Sequence, residues 1–210
     1  MILAVDTSLG SAAALINAEG ATLAEASSSD PLGHAEVIGQ LIQSVLDSTP
    51  DTSTITHVVA GMGPGPFTGL RIGIAAARAF ALARKIPVIA VPSHWGAALD
   101  AMTREPDATA RPFAVITDAR RREAAVTIFE GLDNEGLPAA VVDTVLVPRA
   151  EVETRLGGIR GIETTELSAA ALARVGQRAA AAERTLCGPE PLYLREPDAR
   201  QPVPPKRVAQ

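Results

Sequence analysis

The residues best suited to chemistry lie in one run rich in glycine and proline. It reads Gly-Met-Gly-Pro-Gly-Pro-Phe-Thr-Gly-Leu-Arg-Ile-Gly over positions 61–73. The pattern predicts a strand end, a tight loop in which Gly63 and Gly65 adopt positive φ, and a helix capped by Thr68. A helix N-terminus can bind an anion through its free N–H groups, but the pattern is equally typical of a turn that only positions the helix. It matches neither the phosphate loop ending in Gly-Lys-Ser/Thr nor the dinucleotide-binding pattern.

Two aspartates at the ends of apolar runs are candidates for a nucleotide site. Asp6 ends the run 2–6 and precedes Thr7 and Ser8, and Asp118 ends a similar run in the second half of the chain. Asp6 could orient a magnesium-bound water. An aspartate at a strand end more often satisfies its own loop, and the sequence favours that interpretation.

Residue types that hold metals or act as nucleophiles are scattered. His34, His57 and His94 form neither a His-x-x-x-His pair nor a His-Glu-x-x-His helix. The single cysteine, Cys187, excludes an internal disulfide and a multi-cysteine metal site. Ser93 precedes His94, but adjacency in sequence does not make a nucleophile–base pair. We therefore expect no metal site and no catalytic residue.

Length, charge and composition limit the classes of function that the chain could have. The chain has 210 residues with a net charge of −5, which argues against a general nucleic-acid coat or a basic membrane-surface protein. The arginine run 120–122 could contact phosphate or RNA, although a short run is more often a solvated turn. No apolar run approaches the roughly 18 residues of a membrane span. The start, which lacks the basic residues of a signal peptide, favours a cytoplasmic protein.

Apolar periodicity predicts the order β-β-β-α-β-α-β-α for the first half. The expected strands cover 2–6, 12–16, 21–26, 55–60 and 87–91, and the expected helices cover 34–46, 69–84 and 93–102, the last capped by Ser93.

The second half repeats the opening. Asp118 lies 112 positions after Asp6, and the same offset places Ala124, Ala125 and Ile128 on equivalent apolar positions. A third strand is expected over 141–147, with helices within 149–156 and from 168 to 182. We therefore predict two related lobes, an N-terminal lobe over 1–105 and an abbreviated C-terminal lobe over 106–210 with a proline-rich tail.

The glycine–proline run resembles the Gly-Pro-Gly-Ser-Phe-Thr-Gly-Leu-Arg-Ile-Gly motif of the TsaB (YeaZ) family. Further similarity lies in residues 2–8, His34, the Asp-Ala-Arg of 118–120, and the Pro-Leu-Tyr-Leu-Arg of 191–195. Pro66 stands where the family has serine. The matching motif positions are Gly63, Pro64, Gly65, Phe67, Thr68, Gly69 and Arg71.

This resemblance implies an α/β fold of the actin-like ATPase and sugar-kinase group (ASKHA, RNase H-like). Phosphate sites in that group use an Asp-x-Gly turn, whereas this chain has Asp6-Thr7-Ser8 and, after Asp118, Ala119 and Arg120. We therefore expect a degenerate nucleotide site and no cofactor of the chain's own. The rival interpretation is an ATP-dependent kinase or an M22-type metallopeptidase of the same fold group.

The resemblance also implies a partner role. Family members are non-catalytic dimerization subunits of the bacterial machinery that makes threonylcarbamoyladenosine in tRNA. They pair with TsaD, and the ATPase TsaE docks on the pair. ATP is used by the assembled complex, and tRNA is reached only through it; the chain alone could form a homodimer. The four-helix interface of the family would use Val37, Ile38, Leu41, Ile42, Val45, Ile72, Gly73, Ala76, Ala77 and Phe80. Ordinary packing within the chain is the alternative for these residues.

Overall fold

A computed structural model describes residues 1–29, 33–49, 51–107 and 109–195. The strands of the first sheet all belong to the N-terminal half of the chain. Its strands are β1 (Ile2–Asp6), β2 (Ser11–Ile16), β3 (Thr22–Ser28), β4 (His57–Gly61) and β5 (Val88–Val91). They lie in the order β3-β2-β1-β4-β5. The first three form an antiparallel meander, while β4 and β5 run parallel to β1. The predicted order of elements in this half is confirmed.

The second sheet repeats this topology with one strand fewer. It consists of β6 (Phe113–Asp118), β7 (Glu123–Leu132), β8 (Pro138–Pro148) and β9 (Arg160–Glu163), in the order β8-β7-β6-β9. Asp6 pairs with Ala12 in the first sheet, and Asp118 pairs with Ala124 in the second. Both pairs keep the offset found in the sequence, so the abbreviated second lobe has the register of the first.

Five α-helices cover the two sheets: α1 (His34–Leu46), α2 (Phe67–Arg84), α3 (Ser93–Arg104), α4 (Val152–Leu156) and α5 (Ala169–Ala181), within the described residues. The apolar faces of α1 and α2 pack on one side of the first sheet, where Leu3, Val5 and Val58 are buried. On its other side, Ala4 and Val59 share a core with residues of α5. The first sheet is therefore covered by helices on both faces.

Helix α3 lies against both lobes. Its Leu99 joins the core beneath α5, whereas Ala97 and Ala98 pack with Phe113 and Phe129 of the second sheet. The apolar residues of α4 cover the opposite face of that sheet. The division at 105/106 stays a prediction, and α5 packs on the first sheet although it comes late in the chain.

Neither Thr68 nor Ser93 caps its helix as predicted, and the physical reason is the same for both. Helix α2 begins at Phe67 and α3 at Ser93, so Thr68 and Ser93 lie inside their helices. The N-cap positions are Pro66 and Pro92, in extended conformation with ψ of 133° and 130° and with no side-chain cap hydrogen bond. A proline fixes its own φ near the helical value and sets the chain direction without a capping side chain.

The loop and the second lobe require two further corrections. Gly63 has φ of 95°, as expected, but Gly65 is not in the left-handed region. Strand β9 was not predicted, because its sequence Arg-Gly-Ile-Glu offers one large apolar side chain. The proline-rich tail from residue 196 onward lies outside the described residues. In the described parts, no helix has the length and apolar character needed to cross a membrane.

Candidate functional site

The turn after β1 is closed by its own hydrogen bonds. Asp6 is buried, with 2% of its surface exposed. Its Oδ1 accepts hydrogen bonds from the N–H of Ser8 at 2.7 Å and from Ser8 Oγ at 2.5 Å. Its Oδ2 accepts one from Ser93 Oγ at 2.5 Å. Both carboxylate oxygens thus accept hydrogen bonds from this chain, so Asp6 stabilises its own turn and the start of α3.

Glycines allow the loop and α2 to pack directly on that turn. A methyl group at Gly65 would lie 2.7 Å from Ser8 Cα, and one at Gly69 would lie 2.8 Å from the carbonyl oxygen of Thr7. Thr7 Oγ1 donates to the carbonyl oxygen of Gly69 at 2.7 Å. The glycine–proline run therefore fills the space beside Asp6, Thr7 and Ser8 with backbone.

The buried histidines bind hydroxyl groups of the protein. His34 Nδ1 lies 2.8 Å from Ser11 Oγ. His94 is fully buried between Thr127 Oγ1, 2.7 Å from its Nδ1, and Thr117 Oγ1, 3.0 Å from its Nε2. Burial lowers the pKa of His94 to about 3, so the ring is neutral and joins α3 to the second sheet.

Ser93 and His94 contact different partners, because Ser93 binds Asp6 and His94 binds the two threonines. In the described ranges, no group of three or more His, Cys, Asp and Glu side chains could hold a metal ion.

Asp118, the second predicted aspartate, is exposed, unlike Asp6. Its Oδ1 accepts a hydrogen bond from the backbone N–H of Arg120 at 3.2 Å. Arg120, Arg121 and Arg122 all adopt positive φ, at 60°, 52° and 62°. The turn after β6 thus presents arginine side chains at the position equivalent to the turn after β1.

The ten predicted interface residues divide equally between the interior and the surface. Ile38, Ile42, Val45, Gly73 and Ala77 are buried in the core between α1, α2 and the first sheet. Val37, Leu41, Ile72, Ala76 and Phe80 are half-buried. Only the second group has surface available to a partner, and its role stays a prediction.

The outer ridge of α2, formed by Ala75, Ala79 and Leu82, was not predicted from the sequence. All three residues are exposed, and Leu82 has 81% of its surface accessible. They are spaced by four and three residues and therefore share one side of the helix. Because α2 is apolar nearly all round, its sequence does not indicate which face turns outward; the contacts of the core do.

Residues 186–195, here called the C-terminal strap, hold the start of α2. The N–H of Leu192 donates to the carbonyl oxygen of Met62 at 2.8 Å. The ring of Tyr193 lies 4.7 Å from that of Phe67, and Arg71 Nε donates to the Tyr193 hydroxyl at 2.9 Å. The guanidinium of Arg71 lies 3.7 Å above the Phe67 ring, so both motif residues, Phe67 and Arg71, contact the strap or each other.

Sequence comparison relates the chain to proteins of tRNA modification. A family model described as TsaD, tRNA N6-adenosine threonylcarbamoyltransferase, matches residues 32–145, more than half of the chain. An uncharacterized protein of Mycobacterium tuberculosis (strain H37Rv) is 33% identical over 209 residues, covering 95% of this chain and 93% of that protein. The tRNA threonylcarbamoyladenosine biosynthesis protein TsaB of Escherichia coli is 39% identical over 62 residues, 29% of this chain and 27% of that protein.

Comparison with solved structures agrees with the sequence matches. The crystal structure of a Pseudomonas aeruginosa protein with similarity to the peptidase YeaZ has a TM-score of 0.76 at 25% identity. The match covers 92% of this chain and 99% of that one. The expected actin-like fold with two related lobes is confirmed. Family model, relatives and shared fold together show that the chain belongs to the TsaB (YeaZ) family.

Proposed function

We propose that this chain is a non-catalytic dimerization subunit that binds a TsaD-type transferase. It would support the transfer of a threonylcarbamoyl group to the tRNA adenosine beside the anticodon. TsaE would dock on the assembled pair, ATP would be used by the complex, and the chain would need no cofactor of its own. It would act in the cytoplasm, and in isolation it would form a homodimer through the same surface.

The observation that carries this proposal is the closure of the turn after β1. In the fold group this turn holds phosphate, and here both oxygens of Asp6 are occupied by Ser8 and Ser93. Gly65 and Gly69 bring the neighbouring backbone into contact with the same turn. A phosphate would have to displace backbone rather than water. This geometry favours a binding role over the kinase alternative.

The outer ridge of α2 supports a partner on this helix. Leu82 is the most exposed of the large hydrophobic residues in the described ranges, and Ala75 and Ala79 are small enough for another helix to approach closely. The half-buried Ile72, Ala76 and Phe80 flank the ridge. Small residues beside one large apolar side chain suit helix-to-helix contact.

The test compares two leucine substitutions in binding to purified TsaD. Leu82→Glu places a charge on the outer ridge, whereas Leu132→Glu places one at the end of β7, where the leucine is 49% exposed. We expect Leu82→Glu to remain folded and to bind TsaD at least about 30-fold more weakly, since a central interface residue is commonly worth about 2 kcal/mol. Leu132→Glu should bind normally. Equal binding by both variants would overturn the assignment of the ridge.

Two further measurements complete this test. Ala76→Glu adds a charge at a half-buried position, and we expect a folded monomer that pairs neither with itself nor with TsaD, as read by light scattering and circular dichroism. An unfolded variant would place Ala76 in the chain's own core. Titration with Mg-ATP addresses the rival interpretation, because tight binding at full stoichiometry by the isolated chain would favour a kinase.

A further inference from the structure

The C-terminal strap contacts elements of both sheets. Leu192 and Tyr193 pack against the core between α1, α2 and the first sheet. Arg195, at the far end of the strap, pairs with Glu123, the first residue of β7 in the second sheet. Arg195 also donates to the carbonyl oxygen of Arg120 at 3.3 Å. The strap therefore ties the start of α2 to the turn between β6 and β7.

The strap also provides hydrogen-bond acceptors for two arginines of α2. Arg71 Nε donates to the hydroxyl of Tyr193 at 2.9 Å, and Arg78 donates to the carbonyl oxygen of Pro189. Both arginines belong to the exposed side of the helix. Their guanidinium groups are thus held in place by a segment that lies more than 100 positions later in the chain.

These two arginines border the outer ridge of α2. Arg71 lies four positions before Ala75, and Arg78 lies four positions before Leu82, so each arginine neighbours a ridge residue on the helix surface. A helix that covered the ridge would therefore remove water from both guanidinium groups. Burial of a charged group without hydrogen-bond partners is costly, and the strap supplies one partner to each group. Covering the ridge thus costs less free energy while the strap is in place.

We propose that the strap is a clasp that must be closed for the outer ridge of α2 to bind its partner. The closed strap keeps Arg71 and Arg78 hydrogen-bonded, and the pair of Arg195 with Glu123 makes the second sheet part of the clasp. An open strap leaves both guanidinium groups without these acceptors, so the partner binds the closed state more tightly. This inference rests on the proposed function for the partner, a TsaD-type transferase, and adds that its binding depends on the second sheet.

The first experiment measures hydrogen exchange at the amide of Leu192 in the free chain. Glu123→Gln removes the charge at the far end of the strap with little change in shape, and Glu130→Gln, at an exposed position of the same strand, is the matched control. We expect exchange about two- to fivefold faster in Glu123→Gln, since the ion pair is partly exposed, and unchanged in Glu130→Gln. A wild-type rate in Glu123→Gln would overturn the proposal.

The second experiment repeats the exchange measurement with saturating TsaD. Because coupling between two equilibria is reciprocal, a partner that prefers the closed strap must slow its opening. We expect exchange at Leu192 to be at least about tenfold slower in the complex, and the slowing to be smaller in Arg78→Met, which has no guanidinium to satisfy. Shielding by the partner alone would slow both chains equally. Equal slowing, or exchange that is faster or unchanged in the complex, would overturn the proposal.

The affinity for TsaD supplies the converse measurement. The double variant Y193A/E123Q removes contacts at both ends of the strap. We expect it to bind at least about fivefold more weakly, as the closed fraction falls to about one fifth. E130Q/L132A removes a carboxylate and an exposed apolar side chain outside the strap, and should bind like the wild type. Equal affinity of the two variants, both folded by circular dichroism, would overturn the proposal.

The strap and the proposed function fail in different ways. If the wild-type chain binds TsaD and Y193A/E123Q binds equally well, the role of the strap alone is wrong. If the wild-type chain does not bind TsaD, the proposed function is wrong. Exchange at Leu192 in Glu123→Gln, and self-association of Y193A/E123Q by light scattering, then decide on the strap with a second copy of the chain as the partner.

Discussion

The carboxylate of Asp6 and the hydroxyl of Ser93 lie 2.5 Å apart, although 87 positions separate them in the chain. Ser93 Oγ donates to Asp6 Oδ2 and accepts a hydrogen bond from the N–H of Gly63 at 3.0 Å. One buried hydroxyl thus joins the end of β1, the glycine–proline loop and the first residue of α3. The loop depends on this serine as well as on its own glycines.

Replacing Ser93 by alanine should destabilise the protein. Ser93→Ala leaves Asp6 Oδ2 and the N–H of Gly63 without their partner, and an unpaired buried group costs about 1–3 kcal/mol. Ser44→Ala, at an exposed position of α1, is the matched control and should change stability by less than about 0.5 kcal/mol. Urea unfolding measures both. Equal midpoints would show that another group replaces the hydroxyl.

Replacing Gly65 or Gly39 by alanine should change the stability of the protein in opposite directions. Gly65→Ala brings a methyl group to 2.7 Å from Ser8 Cα, and overpacking of this kind costs about 1–3 kcal/mol. Gly39→Ala lies in α1 with nothing within 4 Å of the new methyl, and should stabilise the protein by up to about 1 kcal/mol. Thermal unfolding of the two variants checks the signs. The reason at Gly65 is contact with Ser8 and not positive φ.

Because of His94, the stability of the protein should fall in mild acid. Its pKa is about 3 in the folded chain against an ordinary 6.5, so the unfolded chain binds the proton more readily. The contribution of neutral His94 to the free energy of unfolding is fully present above about pH 6.5 and is lost progressively toward pH 3. Between pH 7 and pH 5 the free energy of unfolding should fall by about 2 kcal/mol from this group. His94→Gln should remove this part of the pH dependence in urea unfolding, and His57→Gln should not. Parallel pH profiles for wild type and His94→Gln would contradict the neutral buried ring.

The C-terminal strap should loosen when Tyr193 loses its ring. In Tyr193→Ala both the ring contact with Phe67 and the hydrogen bond from Arg71 disappear. Since an aromatic pair contributes about 0.5–1.5 kcal/mol, the amide of Leu192 should exchange its hydrogen up to about tenfold faster. Tyr193→Phe keeps the ring and should change the rate less. Exchange of the Leu192 amide at the wild-type rate in both variants would mean that the hydrogen bond between Leu192 and Met62 holds the strap without Tyr193.

The fold was predictable where one face of an element is buried. Ile38, Ile42 and Val45 follow a single helical stripe, and α1 has the predicted bounds. The offset between Asp6 and Asp118 predicted the second sheet because both strands keep the same pairing. Strand β9 escaped prediction because its pairing with β6 depends on backbone hydrogen bonds rather than on apolar alternation.

The site was less predictable because its contacts are long-range. The sequence favoured Asp6 as a residue that satisfies its own loop, but it gave no sign that Ser93 would bind the second oxygen. In the same way, α2 was identified as a helix with two apolar faces, and only the packed structure separates the buried Ala77 from the exposed Leu82. Composition predicts that a helix is covered; the neighbouring elements decide on which side.

The position of α5 bears on how the chain folds as it leaves the ribosome. Ala4, Val59 and Val91, on one face of the first sheet, share a core with Leu172 and Val175 of α5. Synthesis proceeds from the N-terminus at about 5–20 residues per second, so that face stays uncovered until α5 has been made. The nascent N-terminal lobe therefore exposes this apolar face to solvent during that interval.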